Sequence, residues 1–301
     1  MKVKRTFRTH HIEPEHQGLT VEEYLKKKLQ LSGRKIQKIT RLKGILLNNK
    51  PVYLQKKLKA GQMLNVLELS DQSYGVDPEP GVIDILYEDS RIIILDKPGG
   101  LLVHPAGRTR HGTLANYLAA YFAQNGKVCT IRPLHRLDRD TTGCVAFAKD
   151  SLTQTILEKQ LLKGSFKRSY LAIVQGVLEP LEGTIDAPIG SHPFKPNRRA
   201  INEQGEKALT HYRTVLTSQG MSLLTLTLET GRTHQIRVHL ASVGHPVIGD
   251  KIYGKSSPLI RRQALHAQSL EFLHPEDGRK IKVQAPFPAD FAFFNIPGCD
   301  F

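Results

Sequence analysis

Residues 17–69 show the periodic pattern of two short helices followed by a small sheet. Thr20 precedes Glu23 by three residues, which is the spacing of a capping box at the start of a helix. Apolar side chains then recur at every fourth position, at Val21, Leu25 and Leu29. One face of this first helix is therefore expected to be buried.

A second helix is predicted from Ser32, a residue suited to the N-cap, to about Gly44. Its apolar side carries Ile36 and Ile39. The opposite side carries cations at helical spacing, namely Arg34, Lys38 and Arg41. Short apolar runs at 45–47 and 63–69, with a turn at 48–51 between them, predict a small sheet beside the helices.

From residue 82 onward, short strand patterns and helix patterns follow each other without strict alternation. Strands are predicted at 82–87, 91–95, 166–176 and 224–228, and a closing hairpin at 265–284. Helices are predicted after Thr113, after Ser151 and from about Thr233. A doubly wound fold would require regular alternation, so the pattern favours the α+β class.

Residues 70–81 are polar, rich in proline and glycine, and without an apolar period. They predict a linker. The domain organisation expected from the sequence is therefore a small domain at 1–69, a linker at 70–81 and a large domain at 82–301.

The formal net charge of +15 over 301 residues exceeds what solubility requires. It points to a polyanionic partner, most commonly nucleic acid, with an anionic membrane as the alternative. No run approaches the roughly twenty apolar residues that span a bilayer, and the N-terminus lacks the apolar segment of a signal peptide. The sequence thus predicts a cytoplasmic protein with no membrane partner and no evident obligate protein partner.

The three cysteines, Cys129, Cys144 and Cys299, show no C-x-x-C spacing. An odd number without that spacing indicates neither a disulfide framework nor a structural zinc site. His234 and His239 are five residues apart, whereas two zinc ligands on a helix are usually four apart. No metal and no cofactor are predicted.

The most charged stretch lies near the middle of the chain, at 134–147, where LHRLDRDTTG runs into the apolar CVAF. Two interpretations of its charge are open. It can be a surface loop whose ions pair with one another, or a functional loop beside a buried strand.

The string HRLDRDTTG resembles the signature of the large-subunit rRNA type of pseudouridine synthase, in which HRLD is followed by two variable residues, two hydroxyl residues and glycine. That resemblance implies that Asp138 is the catalytic residue. Thr142 stands where serine is commoner.

Three further stretches resemble motifs of the same family in the same order. YEDSRIIILDKPGGLLVHPAG resembles the first motif, which braces the catalytic loop and has no chemical role. In FKRSYLAIVQG, Arg168 stands where the family usually has lysine, and Tyr170 is implied to stack beside the target base. In GRTHQIR, the last arginine, Arg237, is implied to pair with Asp138.

The stretch GLTVEEYLKKKLQLSGRKIQKITRLKGILLNNKPV resembles a small RNA-binding module, called alpha-L, that is shared by a ribosomal protein, tyrosyl-tRNA synthetases and many pseudouridine synthases. The resemblance implies that Arg34, Lys38 and Arg41 contact RNA. Together the resemblances cover about residues 17–286 and imply a large domain built on a mixed, mostly antiparallel sheet flanked by helices.

The implied reaction breaks the bond from ribose C1′ to base N1, rotates the uracil and joins it through C5. It needs a carboxylate (Asp138), a cation that keeps it ionised (Arg237) and a flat wall for the free base (Tyr170). The sequence leaves open whether Asp138 adds to the base, attacks C1′ or assists loss of the 2′ proton.

The target base must leave its RNA helix, and side chains beside Asp138 are candidates to fill the gap and bind phosphate. These candidates are His135, Arg136 and Arg139, with Arg136 first among them. Arg232 and His234 are further candidates for contact with RNA.

Other classes of function stay open at this stage. The chain could be a non-catalytic RNA-binding factor of ribosome assembly, or the same enzyme acting on tRNA rather than rRNA. A kinase-like phosphotransferase is disfavoured, because the sequence has neither a G-x-G-x-x-G loop nor D-F-G.

Overall fold

The computed structural model describes residues 6–67, 71, 73–196 and 198–294, and the chain divides into two compact units, residues 1–72 and residues 73–301. Each unit is described by itself. Among the described residues, no helix is both long enough and apolar enough to cross a membrane.

The first unit is a small sheet with two helices. Its elements are β1 (Phe7–His11), α1 (Val21–Lys27), α2 (Gly33–Arg41), β2 (Ile45–Leu47), β3 (Lys50–Pro51) and β4 (Met63–Leu67), with a 3-10 turn at Pro14–His16. The strands follow the order β1-β4-β2-β3 and pair antiparallel. Strand β1 was not predicted, because FRTHH has no apolar alternation and is identified only by its pairing with β4.

Both predicted helix starts in this unit are confirmed. The Thr20 hydroxyl accepts the Glu23 N–H, and the Glu23 carboxylate accepts the Thr20 N–H, which completes the capping box of α1. Ser32 caps α2, which ends at Arg41, three residues before the predicted end. Residues 68 and 69 of the last predicted strand lie outside the described residues.

The predicted faces of α2 are also confirmed. Ile36 and Ile39 are buried in the core of the unit, and the cations Arg34, Lys38 and Arg41 are exposed. This core draws its buried residues from Ile12 to Leu67.

Part of the predicted linker belongs to the second unit. Residues 73–81 lie in that unit, where Tyr74 and Val76 pack against the main core. The Asp77 carbonyl also accepts a hydrogen bond from the buried Asn116 side chain at 2.8 Å. Residues 68–70 and 72 lie outside the described residues.

The second unit is built on one large sheet. Its elements are β5 (Asp84–Glu88), β6 (Ile92–Lys97), α3 (Leu114–Gln124), β7 (Arg132–Pro133), β8 (Thr142–Ala148), α4 (Ser151–Leu162), β9 (Lys167–Gln175), β10 (Glu182–Asp186), β11 (Ile189–Ser191), β12 (Arg199–Ile201), β13 (Leu209–Ser218), β14 (Met221–Leu228), α5 (Gln235–Ser242), β15 (Leu265–Leu273) and β16 (Lys280–Gln284), with a 3-10 turn at Ala289–Phe294.

The strand order of this sheet is β10-β13-β14-β9-β15-β8-β6-β5, while β7 pairs with β8 and β16 with β15. Strands β11 and β12 form a separate hairpin. The β8–β15 pair is parallel, and the other described strand pairs of the sheet are antiparallel. The predicted α+β class with a mixed, mostly antiparallel sheet is confirmed.

Both faces of the central strands are covered. Along β6, Ile93 and Leu95 pack on the same core as α3, whereas Ile92 and Ile94 pack on a second core with α4. Two-sided burial explains why β6 and β8 are continuous apolar runs in the sequence instead of alternating patterns.

Two predicted helix starts shift by one or two residues. Asp150, not Ser151, caps α4, because its carboxylate accepts the N–H groups of Leu152 and Thr153. Helix α5 begins at Gln235 rather than near Thr233. Cys129 and Cys144 are buried and form no disulfide with each other, and Cys299 lies outside the described residues.

Candidate active site

The charged stretch in the middle of the chain forms the loop between β7 and β8, and the buried Lys97 anchors it. The Lys97 ammonium donates to the carbonyls of Pro98, Leu101 and Arg139, each at 2.7 Å. Burial lowers the pKa of Lys97 to about 7. However, three carbonyl acceptors match the three donors of an ammonium, so we assign the charged form. The bracing role implied for this motif is therefore carried by Lys97.

Arg262 anchors the loop from a second side. Its Nη1 donates to the carbonyls of Asp140, Gln263 and Leu265 at 3.3, 2.9 and 2.9 Å. Its Nε and Nη2 bind the Asp290 carboxylate at 2.7 and 2.8 Å. The loop is thus fixed through the backbone carbonyls of Arg139 and Asp140, directly after Asp138.

The glycine of the Thr-Thr-Gly turn is required by a close approach between strands. Gly143 has φ +104°, and a Cβ at this position would lie 2.3 Å from the Ala267 carbonyl oxygen of β15. Next to it, the Thr142 hydroxyl and His266 Nδ1 are 2.8 Å apart. The parallel pairing of β8 with β15 therefore sets the position of the loop that carries Asp138.

Asp138 forms an ion pair with Arg237, which is 99 residues away in sequence. Arg237 Nη1 donates to Asp138 Oδ2 at 2.8 Å. The same guanidinium binds Asp250 with two hydrogen bonds, from Nε at 2.7 Å and from Nη2 at 2.9 Å. The side chain of Asp138 is 23% exposed, against 4% for Arg237 and 0% for Asp250, so only Asp138 meets the solvent.

Asp250 was not predicted as a site residue, although it lies only a few residues after α5. Besides binding Arg237, its carboxylate accepts the N–H groups of Ile252 and Tyr253 at 2.9 and 3.1 Å. Burial acts to raise the pKa of Asp250, but the hydrogen bonds and charge of Arg237 together with the two backbone N–H groups outweigh it, and the pKa is lowered. Asp250 therefore holds Arg237 in place, and Arg237 in turn holds Asp138.

Asp138 and Arg237 line a cavity of about 750 Å³, and Tyr170 and Arg168 of β9 line it as well. Tyr170 is 5% exposed, and burial raises the pKa of its hydroxyl. Arg168 donates to the Thr230 carbonyl at 3.2 Å and so ties β9 to the segment before α5. The cavity thus presents one carboxylate paired with a buried arginine beside an aromatic wall.

Comparison with known proteins identifies the family. A sequence model described as RNA pseudouridylate synthase matches residues 91–242, and one described as the RluD ribosomal pseudouridine synthase N-terminal domain matches residues 8–64. The chain belongs to the RNA pseudouridylate synthase family. Its enzymatic class is therefore that of an isomerase acting on RNA.

Relatives and solved structures agree with this family. An uncharacterized RNA pseudouridine synthase of Bacillus subtilis is 41% identical over 93% of this chain and 93% of its own length. The ribosomal large subunit pseudouridine synthase D of Nitrosomonas europaea is 41% identical over 91% of this chain and 83% of its own. The structure of human RNA pseudouridylate synthase domain containing 1 is similar at a TM-score of 0.57 and 26% identity, covering 70% of this chain and 86% of that one.

Within this pseudouridine synthase, one predicted RNA contact, His135, is largely removed from the solvent. His135 is 8% exposed, and its Nε2 accepts the Ala146 N–H at 3.3 Å. Its ring also packs near Phe166, with 6.2 Å between the ring centroids. Burial lowers the pKa of His135 to about 3, so the imidazole is neutral at ordinary pH. His135 thus packs beneath the loop with part of its surface at the cavity, and its contact with RNA stays a prediction.

The other predicted RNA contacts near Asp138 lie at the cavity. Arg136 and Arg139 are exposed and line it. Arg232 also lines it, but its guanidinium pairs with Glu206 and donates to the Lys207 carbonyl. His234 lies at the start of α5 with its Nε2 3.9 Å from Asp138 Oδ1.

Among the described residues, the group that could hold a metal ion consists of Glu13, Glu15 and His16 in the first unit. Its two carboxylates are exposed and already face the His16 ring, at 3.9 Å from Glu13 and 3.3 Å from Glu15. Such acidic groups are common without an ion, and we assign this one no role.

Proposed function

We propose that Asp138 is the catalytic carboxylate of this isomerase and that Arg237 and Tyr170 complete the catalytic group. The observation that carries the proposal is the 2.8 Å ion pair between Asp138 and Arg237 at the wall of the cavity that Tyr170 also lines. Arg237 places a buried positive charge against the Asp138 carboxylate and fixes its position at the cavity wall. Tyr170 supplies a flat wall against which the detached uracil can rotate.

In this proposal the exposed cations near Asp138 bind the RNA around the target base. Arg136 and Arg139 stand at the cavity without an ion-pair partner among the described residues, so they can bind phosphate or occupy the space of a flipped base. In the first unit, Arg34, Lys38 and Arg41 would bind the RNA backbone.

The substrate that we propose is large-subunit rRNA. Support comes from the relatives named ribosomal large subunit pseudouridine synthase D and from the match of residues 8–64 to a ribosomal pseudouridine synthase domain. Pseudouridines should be mapped by chemical derivatisation in total RNA from cells with and without this protein. Loss of pseudouridines from rRNA in the cells without the protein supports the proposal. Loss confined to tRNA assigns the enzyme to tRNA. If no pseudouridine is lost, the protein acts as a non-catalytic RNA-binding factor.

The catalytic assignment predicts that Asp138→Asn abolishes isomerisation while leaving RNA affinity nearly unchanged. The substitution removes the reactive charge but keeps the shape of the side chain. Each protein is incubated with RNA containing 5-tritiated uridine, and the released tritium is counted. Asp140→Asn is the matched control, because Asp140 lines the same cavity without a bond to Arg237. Release at the wild-type rate from Asp138→Asn would refute the assignment.

A further inference from the structure

His234 occupies a backbone conformation that histidine rarely adopts. Its φ of +60° and ψ of +18° are left-handed, and its side chain makes no capping hydrogen bond to α5. A left-handed residue other than glycine costs roughly 1–2 kcal/mol, and such outliers cluster at functional sites. The conformation makes the His234 side chain a candidate for a role at the cavity that it lines.

The hydrogen bonds around His234 determine which ring nitrogen carries the proton. Tyr253 Oη accepts the Arg199 N–H at 2.8 Å and lies 2.8 Å from His234 Nδ1. The phenol proton needs an acceptor, and of the two partners of Tyr253 Oη only Nδ1 can accept, so we assign that proton to the bond with His234 Nδ1. Burial lowers the pKa of His234, so the ring is neutral and carries its proton on Nε2.

That Nε2 lies near the oxygen of Asp138 that Arg237 does not bind, at a distance too long for a direct hydrogen bond. Asp138 Oδ2 is held by Arg237 at 2.8 Å, whereas His234 Nε2 stands 3.9 Å from Oδ1. The side chain of His234 is 16% exposed, so it reaches Asp138 from inside the cavity wall and not from the solvent. The two oxygens of the carboxylate thus have different neighbours, a buried cation and a neutral N–H.

We propose that His234 is a positioning residue for the isomerisation: oriented by the Tyr253 hydroxyl, its Nε2–H directs Asp138 Oδ1 and so sets which carboxylate oxygen faces the bound uridine. This rests on the proposed catalytic role of Asp138. It replaces the expectation, drawn from the sequence, that His234 contacts RNA.

The test compares His234→Gln with His234→Asn in the full chain. A Gln amide nitrogen can take the place of Nε2, whereas the shorter Asn reaches only the place of Nδ1. Backbone preference runs the other way, since Asn tolerates the left-handed conformation better than Gln. A role limited to the backbone or to the bond with Tyr253 would therefore favour Asn, and the positioning role favours Gln.

Single-turnover rates at saturating RNA, Kd values and melting temperatures are measured on the transcript that the wild-type protein modifies fastest. We expect His234→Asn to lose about 10²-fold in rate with Kd nearly unchanged, and His234→Gln to stay within about fivefold of the wild type. Wild-type rates in both variants, equal losses in both, or a loss confined to Kd would each overturn the proposal.

A double-mutant cycle tests the link through Tyr253. Tyr253→Phe removes the hydroxyl but keeps the ring that lies under Arg237, 5.2 Å from the guanidinium carbon. It should slow the wild-type protein by about tenfold and the His234→Asn variant hardly at all, because the two residues act in one chain of bonds. Independent, additive losses would show that Tyr253 does not act through His234.

Asp138→Asn measured alongside separates this inference from the proposed function. If Asp138→Asn keeps the wild-type rate, the catalytic assignment fails and the positioning role fails with it. If Asp138→Asn is inactive while both His234 variants react at the wild-type rate, the positioning role alone is wrong.

Discussion

At the scale of single residues, the site depends on how one buried guanidinium is shared. Arg237 binds Asp250 with two hydrogen bonds and Asp138 with one, so all three nitrogens of its guanidinium donate to a carboxylate. Burial acts to lower the pKa of Arg237, but the two carboxylates outweigh it and raise the pKa. The arginine stays charged, and its position decides where the Asp138 carboxylate lies.

Arg237→Lys should therefore lose most of the activity, because a single ammonium cannot bind both carboxylates as the guanidinium does. Arg237→Met leaves two carboxylates without a counter-charge and should also lower the unfolding free energy by about 3–5 kcal/mol. Single-turnover rates and denaturant melts of both variants provide the measurement. An active, fully stable Arg237→Lys protein would contradict the shared-guanidinium geometry.

Asp250→Asn should destabilise the protein at neutral pH and loosen the hold on Arg237, which keeps its own bond to Asp138 but loses part of its anchor. The Asn side chain offers the guanidinium one acceptor oxygen instead of two, so a buried cation is left partly unpaired. This should lower the unfolding free energy by about 3–5 kcal/mol. The effect should also depend on pH, because the pKa of Asp250 is lowered from its ordinary 3.8 in the folded state.

A carboxyl group with a lowered pKa contributes stability above its unfolded-state value, and this stability is lost as the pH falls through the folded-state pKa. The difference in unfolding free energy between wild type and Asp250→Asn should therefore be constant near pH 7 and narrow below about pH 3.8. Urea melts over this range measure it. A difference in unfolding free energy that grows as the pH falls would show that Asp250 is not held as a carboxylate.

At the scale of elements, the catalytic loop is placed by the parallel pairing of β8 with β15. His266 and Ala267 of β15 lie opposite Thr142 and Gly143 of β8, four and five residues after Asp138. The strands approach so closely at Gly143 that no side chain fits between them. Sheet register and loop position are therefore fixed by the same close approach.

Gly143→Ala should cost about 3 kcal/mol or more of stability and displace the loop, because the added Cβ meets backbone and the positive φ is strained. Gly164→Ala is the matched control. Gly164 also has a positive φ, of +73°, but a Cβ there meets nothing within 4 Å. It should lose only about 1 kcal/mol and keep full activity. Equal effects in the two variants would argue against the close approach.

At the scale of the whole molecule, the chain has two units with separate cores. The buried residues of the first unit's core run from Ile12 to Leu67, and those of the second unit's cores from Ile92 to Phe294. Each core is complete within its own unit, so removing residues 1–72 should leave the second unit folded. The exposed cations of α2 belong to the part removed.

Deleting residues 1–72 should weaken RNA binding and make it less dependent on salt. The log–log slope should fall by about 0.7–0.9 for each phosphate that the shortened protein no longer neutralises. Replacing Arg34, Lys38 and Arg41 together by Ala should reproduce part of that change without unfolding the first unit. Replacing Lys26 and Lys27 of α1 is the control, since these lysines pair with Glu22 and Glu23. Identical salt slopes for the full and shortened proteins would contradict the expectation.

The sequence by itself determined the local structure and the family. Capping boxes, apolar periods and glycine turns act within a few residues, so the starts of α1, α2 and α3 follow from Thr20, Ser32 and Thr113. The motif around Asp138, together with those that follow it, was sufficient to predict an RNA pseudouridine synthase. The ion pair with Arg237 was implied by the resemblance, not by the spacing.

Only the tertiary structure decided which side chains meet. That Asp250 holds Arg237, that Lys97 binds the Arg139 carbonyl and that His135 is buried under the loop depends on how the elements and loops pack against one another. Periodicity shows which face of a strand is buried but not what it is buried against. Neighbours in a sheet are chosen by the combined packing of distant segments, and in this protein that choice makes an aspartate with no predicted role the anchor of the proposed catalytic arginine.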